Sequence, residues 1–412
     1  MRFRLFPALA SALAIAASAA PAAPPAAPRG IYLDTIALPP VQNETTLNQA
    51  MGLQGVDGLV IVVHWSALET GDGAYDLSSL VTEAQLAMQN HLEIELSIRA
   101  DNPPGWLAVA GARVGHFTYA NKGGTKGCKS VSIAIPWDPV FQSRWKAMLL
   151  DVGQELKKIH VNGQSAYDDV KLVRLTGINM DSDELHLRAK DNDDCTEPNK
   201  QAWGDANYTP AALLQGWDGI VRSFVSAFPD KYFSVAIIDS TYPFPNMVGS
   251  PTPGPRDTRQ KGAGQKRGSN LSEAQNQPLL ADAHQILGDR LIVQNNSLYE
   301  DEKAEPETVY FARTLPALIA FQTNLELGPT GGASCDRSKA PCKAAQDFLK
   351  LLNTGIFPDQ GLKADYIEVF APNVKSFPSA IATAHQELFG LGGVVPAKPP
   401  VQRCPHGLSS CQ

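Results

Sequence analysis

The sequence predicts an α/β fold, because eight short apolar runs alternate with amphipathic helical segments along its 412 residues. The runs are rich in Val, Ile, Leu and aromatic residues, which is typical of parallel strands buried on both faces. An open doubly wound sheet is the alternative, but no Gly-x-Gly-x-x-Gly motif follows the first run. Eight strand–helix units are the number that closes a parallel sheet into a barrel. We therefore predict a single (β/α)8 TIM barrel with long loops after its strands.

The predicted strands cover residues 30–35, 58–65, 92–100, 171–179, 232–239, 290–298, 318–327 and 365–372. Between them, apolar residues recur with the 3.6-residue period of a helix at residues 77–90, 138–159, 211–228, 279–287, 309–315, 344–352 and 379–389. Trp145 and Trp217 fall in the middle of two of these helices, where core packing is expected. Residues 105–130 and 249–269 are predicted to be long loops after the third and fifth strands.

The N-terminus has the pattern of a secretory signal peptide. Arg2 and Arg4 precede an apolar stretch, and Ala17-Ser18-Ala19 matches a small-residue cleavage site. We therefore expect a signal peptide at residues 1–19, an Ala/Pro linker at 20–29, the barrel at 30–390 and a Pro-rich tail at 391–412. An anchored or disordered N-terminus is the alternative, although the apolar stretch is shorter than the roughly 18–20 residues of a membrane span.

Six cysteines behind a predicted signal peptide indicate disulfides formed in an oxidising compartment. Two pairs are each seven positions apart and could close local loops, namely Cys335–Cys342 and Cys404–Cys411. Cys128 and Cys195 would then join the loops after the third and fourth strands, which are neighbours in a barrel. A zinc site is the less attractive alternative, because no two cysteines have the close spacing of structural zinc ligands. The protein is expected to be secreted or periplasmic.

The overall charge narrows the range of partners. A formal net charge of −7 and a pI of about 5.6 argue against a nucleic-acid partner, which requires a basic face. After the predicted signal peptide, no stretch is long and apolar enough for a transmembrane segment. We expect a monomer that needs no cofactor and no metal.

Two glutamates stand at the ends of predicted strands. Glu184 follows the fourth strand in the sequence Asp181-Ser182-Asp183-Glu184, and Glu326 lies near the end of the seventh. Because active sites of such barrels lie at the C-terminal ends of the strands, these two carboxyl groups can converge. Two carboxyl groups that face each other across a sugar are what cleavage of a glycosidic bond requires. A solvated loop position is the alternative for each glutamate.

Aromatic and polar residues near the same strand ends suggest a sugar-binding surface, since sugar faces pack on aromatic rings and polar neighbours bind the hydroxyl groups. The candidate rings are Trp65, Trp106, Trp137, Tyr299 and Phe370. The candidate hydroxyl contacts are His64, Asn179, Asp183 and Asn324. Core packing is the alternative for each ring, and a hydrogen-bonded core position is the alternative for His64.

Three short motifs follow the predicted second and third strands: His64-Trp65-Ser66-Ala67-Leu68-Glu69 with Gly73-Ala74-Tyr75-Asp76, Pro103-Pro104-Gly105-Trp106, and Ile135-Pro136-Trp137-Asp138-Pro139. In their order and spacing, from residue 30 to about 389, the chain resembles the clan A glycoside hydrolases, which are retaining (β/α)8 enzymes. In that clan the acid/base closes the fourth strand and the nucleophile closes the seventh. The resemblance therefore implies these roles for Glu184 and Glu326.

One position departs from the clan's pattern. The clan usually has Asn directly before its acid/base, where the amide contacts the sugar 2-hydroxyl, whereas here Asp183 precedes Glu184. Asn179 could take that role. The first expectation is a secreted enzyme that hydrolyses O-glycosidic bonds of an oligo- or polysaccharide, with Glu326 attacking the anomeric carbon and Glu184 as acid and then base. The departure leaves open a carbohydrate-binding barrel without catalysis.

Overall fold

A computed structural model describes residues 26–35, 48–120, 127–180, 182–185, 187, 199–237, 269–298, 315, 317–323, 345–356 and 364–390. Eight strands form a closed barrel in which every neighbouring pair is parallel. In chain order they are β1 (Gly30–Asp34), β2 (Gly58–His64), β3 (Glu93–Arg99), β4 (Val170–Arg174), β5 (Tyr232–Ile237), β6 (Leu291–Leu298), β7 (Leu318–Thr323) and β8 (Tyr366–Phe370). The predicted (β/α)8 barrel is confirmed.

Helices cover the outside of this barrel. The main ones are α1 (Ser78–Gln89), α2 (Pro139–Lys158), α3 (Pro210–Ala227), α4 (Ser269–Leu287), α5 (Ala345–Ile356) and α6 (Pro378–Leu388). Two of their starts are explained by the local sequence. The side chain of Asp138 accepts a hydrogen bond from the Phe141 N–H at 3.1 Å, and that of Thr209 accepts one from the Ala212 N–H at 3.0 Å. In both helices a proline follows the cap, where its missing N–H costs nothing.

Three elements differ from the sequence prediction. The strand predicted at 171–179 ends at Arg174, because Gly177 takes a φ of +111° that breaks the extended conformation. The helix predicted at 279–287 begins earlier, at Ser269, and contains Pro278. Residues 105–130 are not a plain loop, since Val114–Ala120 pairs with Cys128–Ala134 in an antiparallel hairpin. Most of the helix predicted at 309–315 lies outside the described residues.

The predicted signal peptide, most of the linker, the Pro-rich tail and nearly all of the loop at 249–269 lie outside the described residues. None of the helices in the described ranges combines the length and hydrophobicity that crossing a bilayer requires. Cys128 is the one cysteine within those ranges, and it is not a free thiol. The other five cysteines, Cys195, Cys335, Cys342, Cys404 and Cys411, lie outside the described residues, so the disulfide pairing stays a prediction.

The main hydrophobic core lies between the barrel and its helices. Trp145 and Trp217 are both fully buried there, as the helical pattern predicted. The Trp145 ring stacks on Phe141 and meets the Phe224 ring edge-on, each at 5.9 Å between ring centroids. The contact between Trp145 and Phe224 joins α2 to α3.

The barrel interior contains two layers of side chains. Near the N-terminal ends of the strands, an apolar layer consists of Tyr32, Val60, Leu172, Tyr232, Ile292, Ala320 and Tyr366. Two positions further along a strand, side chains return to the same face. There a buried polar layer consists of Asp34, Glu95, Arg174, Ser234, Gln294, Gln322 and Glu368. The polar layer therefore lies between the apolar layer and the C-terminal end of the barrel.

Candidate active site

Glu184 lies in the segment that follows β4, and this segment is anchored to β5 near both of its ends. The Leu175 N–H donates to the Ser234 carbonyl at 2.8 Å, and the Leu185 N–H donates to the Ala236 carbonyl at 2.7 Å. The chain thus leaves the edge of the barrel after Leu175 and returns to it at Leu185. Glu184 is thereby held at the C-terminal end of the strands, where active sites of (β/α)8 barrels lie.

Gly177 and Asn179 shape the turn within this segment. A Cβ atom on Gly177 would lie 3.0 Å from the Ile220 side chain, and its positive φ also favours glycine. The Gly177 N–H donates to Oδ1 of Asn179 at 2.7 Å, and Nδ2 of Asn179 donates to the Glu184 carbonyl at 2.7 Å. Both ends of the amide are bonded to backbone and the side chain is buried. The structure therefore gives Asn179 a role in holding Glu184, contrary to the predicted sugar contact.

The Glu184 side chain is itself almost fully buried, with 9% of the residue exposed. Nδ2 of Asn296, on β6, donates to Oε1 of Glu184 at 3.1 Å. Burial raises the pKa of Glu184, and the negative charge of Asp183 raises it further, while hydrogen bonds from Ser182 and Asn296 oppose the rise. A carboxyl group with a raised pKa can hold a proton for donation, which is what a general acid requires.

Asp183 points away from solvent and toward the polar layer. Only 5% of the residue is exposed, and its carboxylate forms an ion pair with Arg174, which is fully buried. The predicted sugar contact of Asp183 is therefore not supported by this arrangement. Asp183 instead connects the segment that carries Glu184 to the inside of the barrel.

Arg174 is surrounded by more carboxyl groups than it can neutralise. Besides Asp183, it pairs with Glu95 at 2.8 Å and with Glu368. Burial raises the pKa of Glu368 well above its usual range; Arg174 opposes this rise, and the neighbouring Glu95 adds to it. Glu368 therefore favours its neutral form, which reduces the excess of negative charge around Arg174. Nε2 of Gln322 also donates to Glu368, at 2.8 Å.

Two of the predicted sugar platforms are buried. Trp65 is fully buried, its indole N–H donates to Oε2 of Glu69 at 2.7 Å, and its ring packs against Trp145. Phe370 at the end of β8 is 1% exposed. A ring with no exposed face cannot stack on a sugar without rearrangement, so the structure favours the packing alternative for both residues.

Trp106, Trp137 and His64 remain partly exposed and stay candidates for ligand contact. Their orientations are fixed by the protein, since the Trp106 N–H donates to the Glu69 carbonyl at 3.1 Å and the Trp137 N–H donates to the Ala206 carbonyl at 3.0 Å. The His64 side chain at the end of β2 is 44% exposed, with Nδ1 4.0 Å from Oδ1 of the buried Asp101.

Glu326, Asn324 and Tyr299 lie outside the described residues, so the distance between the two candidate catalytic carboxyl groups stays a prediction. The sequence analysis missed Arg174, Asn296 and Glu368. Each is a polar residue within a strand-like apolar run, and a charged or amide side chain at such a position was the available signal.

Comparison with known proteins supports the barrel fold through solved structures only. The sequence matches no protein-family model and no curated protein. Among solved structures, the catalytic domain of beta-amylase from Paenibacillus polymyxa is similar, with a TM-score of 0.54 and 12% identity over 86% of this chain and 98% of that chain. A GH10 protein from Paenibacillus barcinonensis has a TM-score of 0.44 and 10% identity over 83% of each chain, which is too distant to support an argument. The beta-amylase domain shows a shared barrel fold.

Proposed function

We propose that the protein is a secreted glycoside hydrolase that cleaves O-glycosidic bonds in an oligo- or polysaccharide with retention of configuration. In this mechanism Glu326 attacks the anomeric carbon and forms a glycosyl-enzyme intermediate. Glu184 first donates a proton to the leaving oxygen and then removes one from the water that hydrolyses the intermediate. The products are a sugar with its original anomeric configuration and a free hydroxyl group on the leaving fragment.

The observation that carries the proposal is the environment of Glu184. It is a buried carboxyl group at the C-terminal end of β4, its pKa is raised by burial and by Asp183, and Asn296 donates to one of its oxygens. These are the properties of a carboxyl group prepared to donate a proton. The barrel shared with a beta-amylase catalytic domain agrees with this function, although a fold alone does not establish an activity.

The role of Glu326 rests on its place after the seventh strand and on the clan resemblance. Retention requires the two carboxyl groups to be about 5–5.5 Å apart, whereas inversion leaves room for a water molecule at roughly 6.5–9.5 Å. The stereochemistry of the product therefore reports this distance directly.

The ion pair between Asp183 and Arg174 favours a second candidate, a carbohydrate-binding barrel without catalysis. Where the clan has an asparagine that contacts the sugar, this chain has a carboxylate directed into the polar layer. The loss of that contact would weaken stabilisation of the transition state. In this case the protein binds sugars through its exposed strand-end residues but does not hydrolyse them.

Hydrolysis of a broad panel of aryl glycosides and oligosaccharides distinguishes the two candidates. For the enzyme, Glu326→Gln should abolish turnover, because an amide cannot act as the nucleophile. Glu184→Gln should lower turnover by roughly 10²–10⁴-fold on substrates with poor leaving groups. It should have less effect on the first step with activated leaving groups, and azide should restore its second step. Glu155→Gln, on the outer helix α2, is the matched control and should keep full activity.

Proton NMR of the first product checks retention, and sugar binding without hydrolysis by the wild-type protein would favour the binding barrel. Export rests on Arg2, Arg4 and the Ala17-Ser18-Ala19 site. Sequencing the N-terminus of the exported protein should find a start between about residues 20 and 30, and an intact Met1 would contradict export.

A further inference from the structure

A chain of three hydrogen bonds connects the apolar layer of the barrel to Glu184. The Tyr366 hydroxyl donates to Oε1 of Gln294 at 2.5 Å, and Nε2 of Gln294 donates to Oδ1 of Asn296 at 2.9 Å. Nδ2 of Asn296 then donates to Oε1 of Glu184 at 3.1 Å. All four residues are buried, and Tyr366 and Gln294 are fully so. Gln294 and Asn296 are two positions apart on β6, so one strand supplies both amides on the same face.

The three hydrogen bonds of this chain all run in one direction, from Tyr366 toward Glu184. A carboxamide carries a donor nitrogen beside an acceptor oxygen, so the direction of one hydrogen bond sets that of the next. Because the Tyr366 hydroxyl donates to the oxygen of Gln294, the Gln294 nitrogen faces Asn296. The Asn296 nitrogen in turn faces Glu184. Oε1 of Glu184 is therefore an acceptor in this arrangement.

We propose that Tyr366, Gln294 and Asn296 are positioning residues that keep Oε1 of Glu184 as an acceptor and so place the acid proton on Oε2. This inference rests on the proposed function, in which Glu184 is the acid/base. A carboxylic acid can carry its proton on either oxygen, and only one of the two oxygens can face the leaving group. A donor on Oε1 disfavours a proton on that oxygen before the substrate arrives. Ser182 also forms a hydrogen bond with this carboxyl group, so the test compares variants of the Asn296 chain alone.

The charged groups near Glu184 have a separate effect. Among the described residues, Asp183 lies beside it in the chain and Arg174 pairs with Asp183, while Glu95 and Glu368 are the other partners of Arg174. These charges set how strongly Glu184 holds its proton. The hydrogen-bond chain acts on one oxygen in particular, Oε1, and it also lowers the pKa of Glu184 through Asn296.

Infrared difference spectroscopy of the whole protein across pH tests the proposal without any substrate. The C=O stretch of protonated Glu184 is the band that Glu184→Gln removes, and its growth with falling pH gives the pKa of Glu184. Asn296→Leu removes the last donor at nearly constant size. We expect this band to move to higher frequency and the pKa to rise by about one unit, because a hydrogen bond to a charged group is worth roughly that much.

Tyr366→Phe removes only the first donor, two links away from Glu184. The band and the pKa should move in the same direction by a smaller amount, because Gln294 loses the group that holds its oxygen in place. Tyr32→Phe is the matched control. Tyr32 is equally buried, with its ring centroid 5.0 Å from that of Tyr366, but its hydroxyl donates to Glu93 at 2.5 Å. It should leave the Glu184 band unchanged.

The proposal is overturned if Tyr366→Phe gives the same band and pKa as Tyr32→Phe, because the chain then does not act as a unit. If Tyr366→Phe does not fold, Gln294→Met removes the middle residue of the chain instead, and its band and pKa are compared with those of Tyr32→Phe. If the variants shift the Glu184 band but the wild-type protein hydrolyses no glycoside, the positioning chain is supported and the proposed function is refuted. If the wild-type protein hydrolyses glycosides but the variants leave the band unshifted, the proposed function is supported and the positioning chain is refuted.

Discussion

The two layers inside the barrel have opposite compositions although they are supplied by the same strands. The apolar layer, at the N-terminal ends, buries large side chains such as Leu172 and Ile292. The polar layer contains one arginine among several carboxyl groups, all withdrawn from water. Burial of a large apolar side chain stabilises a fold by about 1.5–3 kcal/mol, whereas the desolvation of buried charges can exceed their attraction.

This difference indicates a division of tasks along the barrel axis. Replacement of buried charges by well-packed apolar side chains is often neutral or stabilising, so stability alone does not explain the polar layer. The polar layer lies directly beneath Glu184 and is connected to it through Asp183 and through Gln294. We therefore expect variants in the polar layer to affect Glu184. Variants in the apolar layer should affect stability alone, except at Tyr366, whose hydroxyl donates to Gln294.

The largest effect on stability is expected from Arg174→Met. It leaves the carboxyl groups of Glu95, Glu368 and Asp183 buried without their cation, and the free energy of unfolding should fall by about 3–5 kcal/mol. Urea unfolding at pH 7 measures this loss. Arg222→Met is the control, since Arg222 makes an exposed pair with Asp218 and should give no measurable change. Equal stability of the two variants would mean that the polar layer does not depend on its arginine.

Leu172→Ala tests the apolar layer. Leu172 is fully buried, and its truncation should lower the free energy of unfolding by about 3 kcal/mol through lost burial and the resulting cavity. The pKa of Glu184 should not change, because Leu172 belongs to the layer below the charges. Leu150→Ala, on the exposed side of α2, should cost less than about 1 kcal/mol. A shifted pKa of Glu184 in Leu172→Ala would show that the two layers are coupled.

The smallest effect is expected from Glu368→Gln, and it depends on pH. The folded-state pKa of Glu368 lies above the ordinary value of 4.5. The contribution of protonated Glu368 to wild-type stability is therefore fully present below pH 4.5 and is lost as the pH rises toward the folded-state pKa. A glutamine does not titrate. Relative to wild type, the variant should therefore gain stability between pH 4.5 and pH 7. Free energies of unfolding that differ equally at both pH values would show that the fold does not raise the pKa of Glu368.

Much of the fold could be predicted because strand and helix periods are local properties of the chain. All eight strands were located, and the capped helices α2 and α3 were placed to within a residue or two. The end of β4 was missed because the apolar pattern continues past Gly177, where the chain takes a positive φ and a Cβ would lie 3.0 Å from Ile220. The start of α4 was placed too late, since the helix begins at Ser269 and continues through Pro278, a residue that disfavours a helix interior.

The sequence by itself determined the barrel and the position of Glu184 in the segment after its fourth strand, because alternating patterns depend on neighbours along the chain. Only the tertiary structure decided which polar residues meet inside. Arg174 and Glu368 are 194 positions apart and Asn296 and Glu184 are 112 apart, and closure of the barrel brings each pair into contact. It also decided that Trp65 and Phe370 are buried while Trp106 and Trp137 keep an exposed edge. Burial depends on what packs over a strand end, and no local pattern records that.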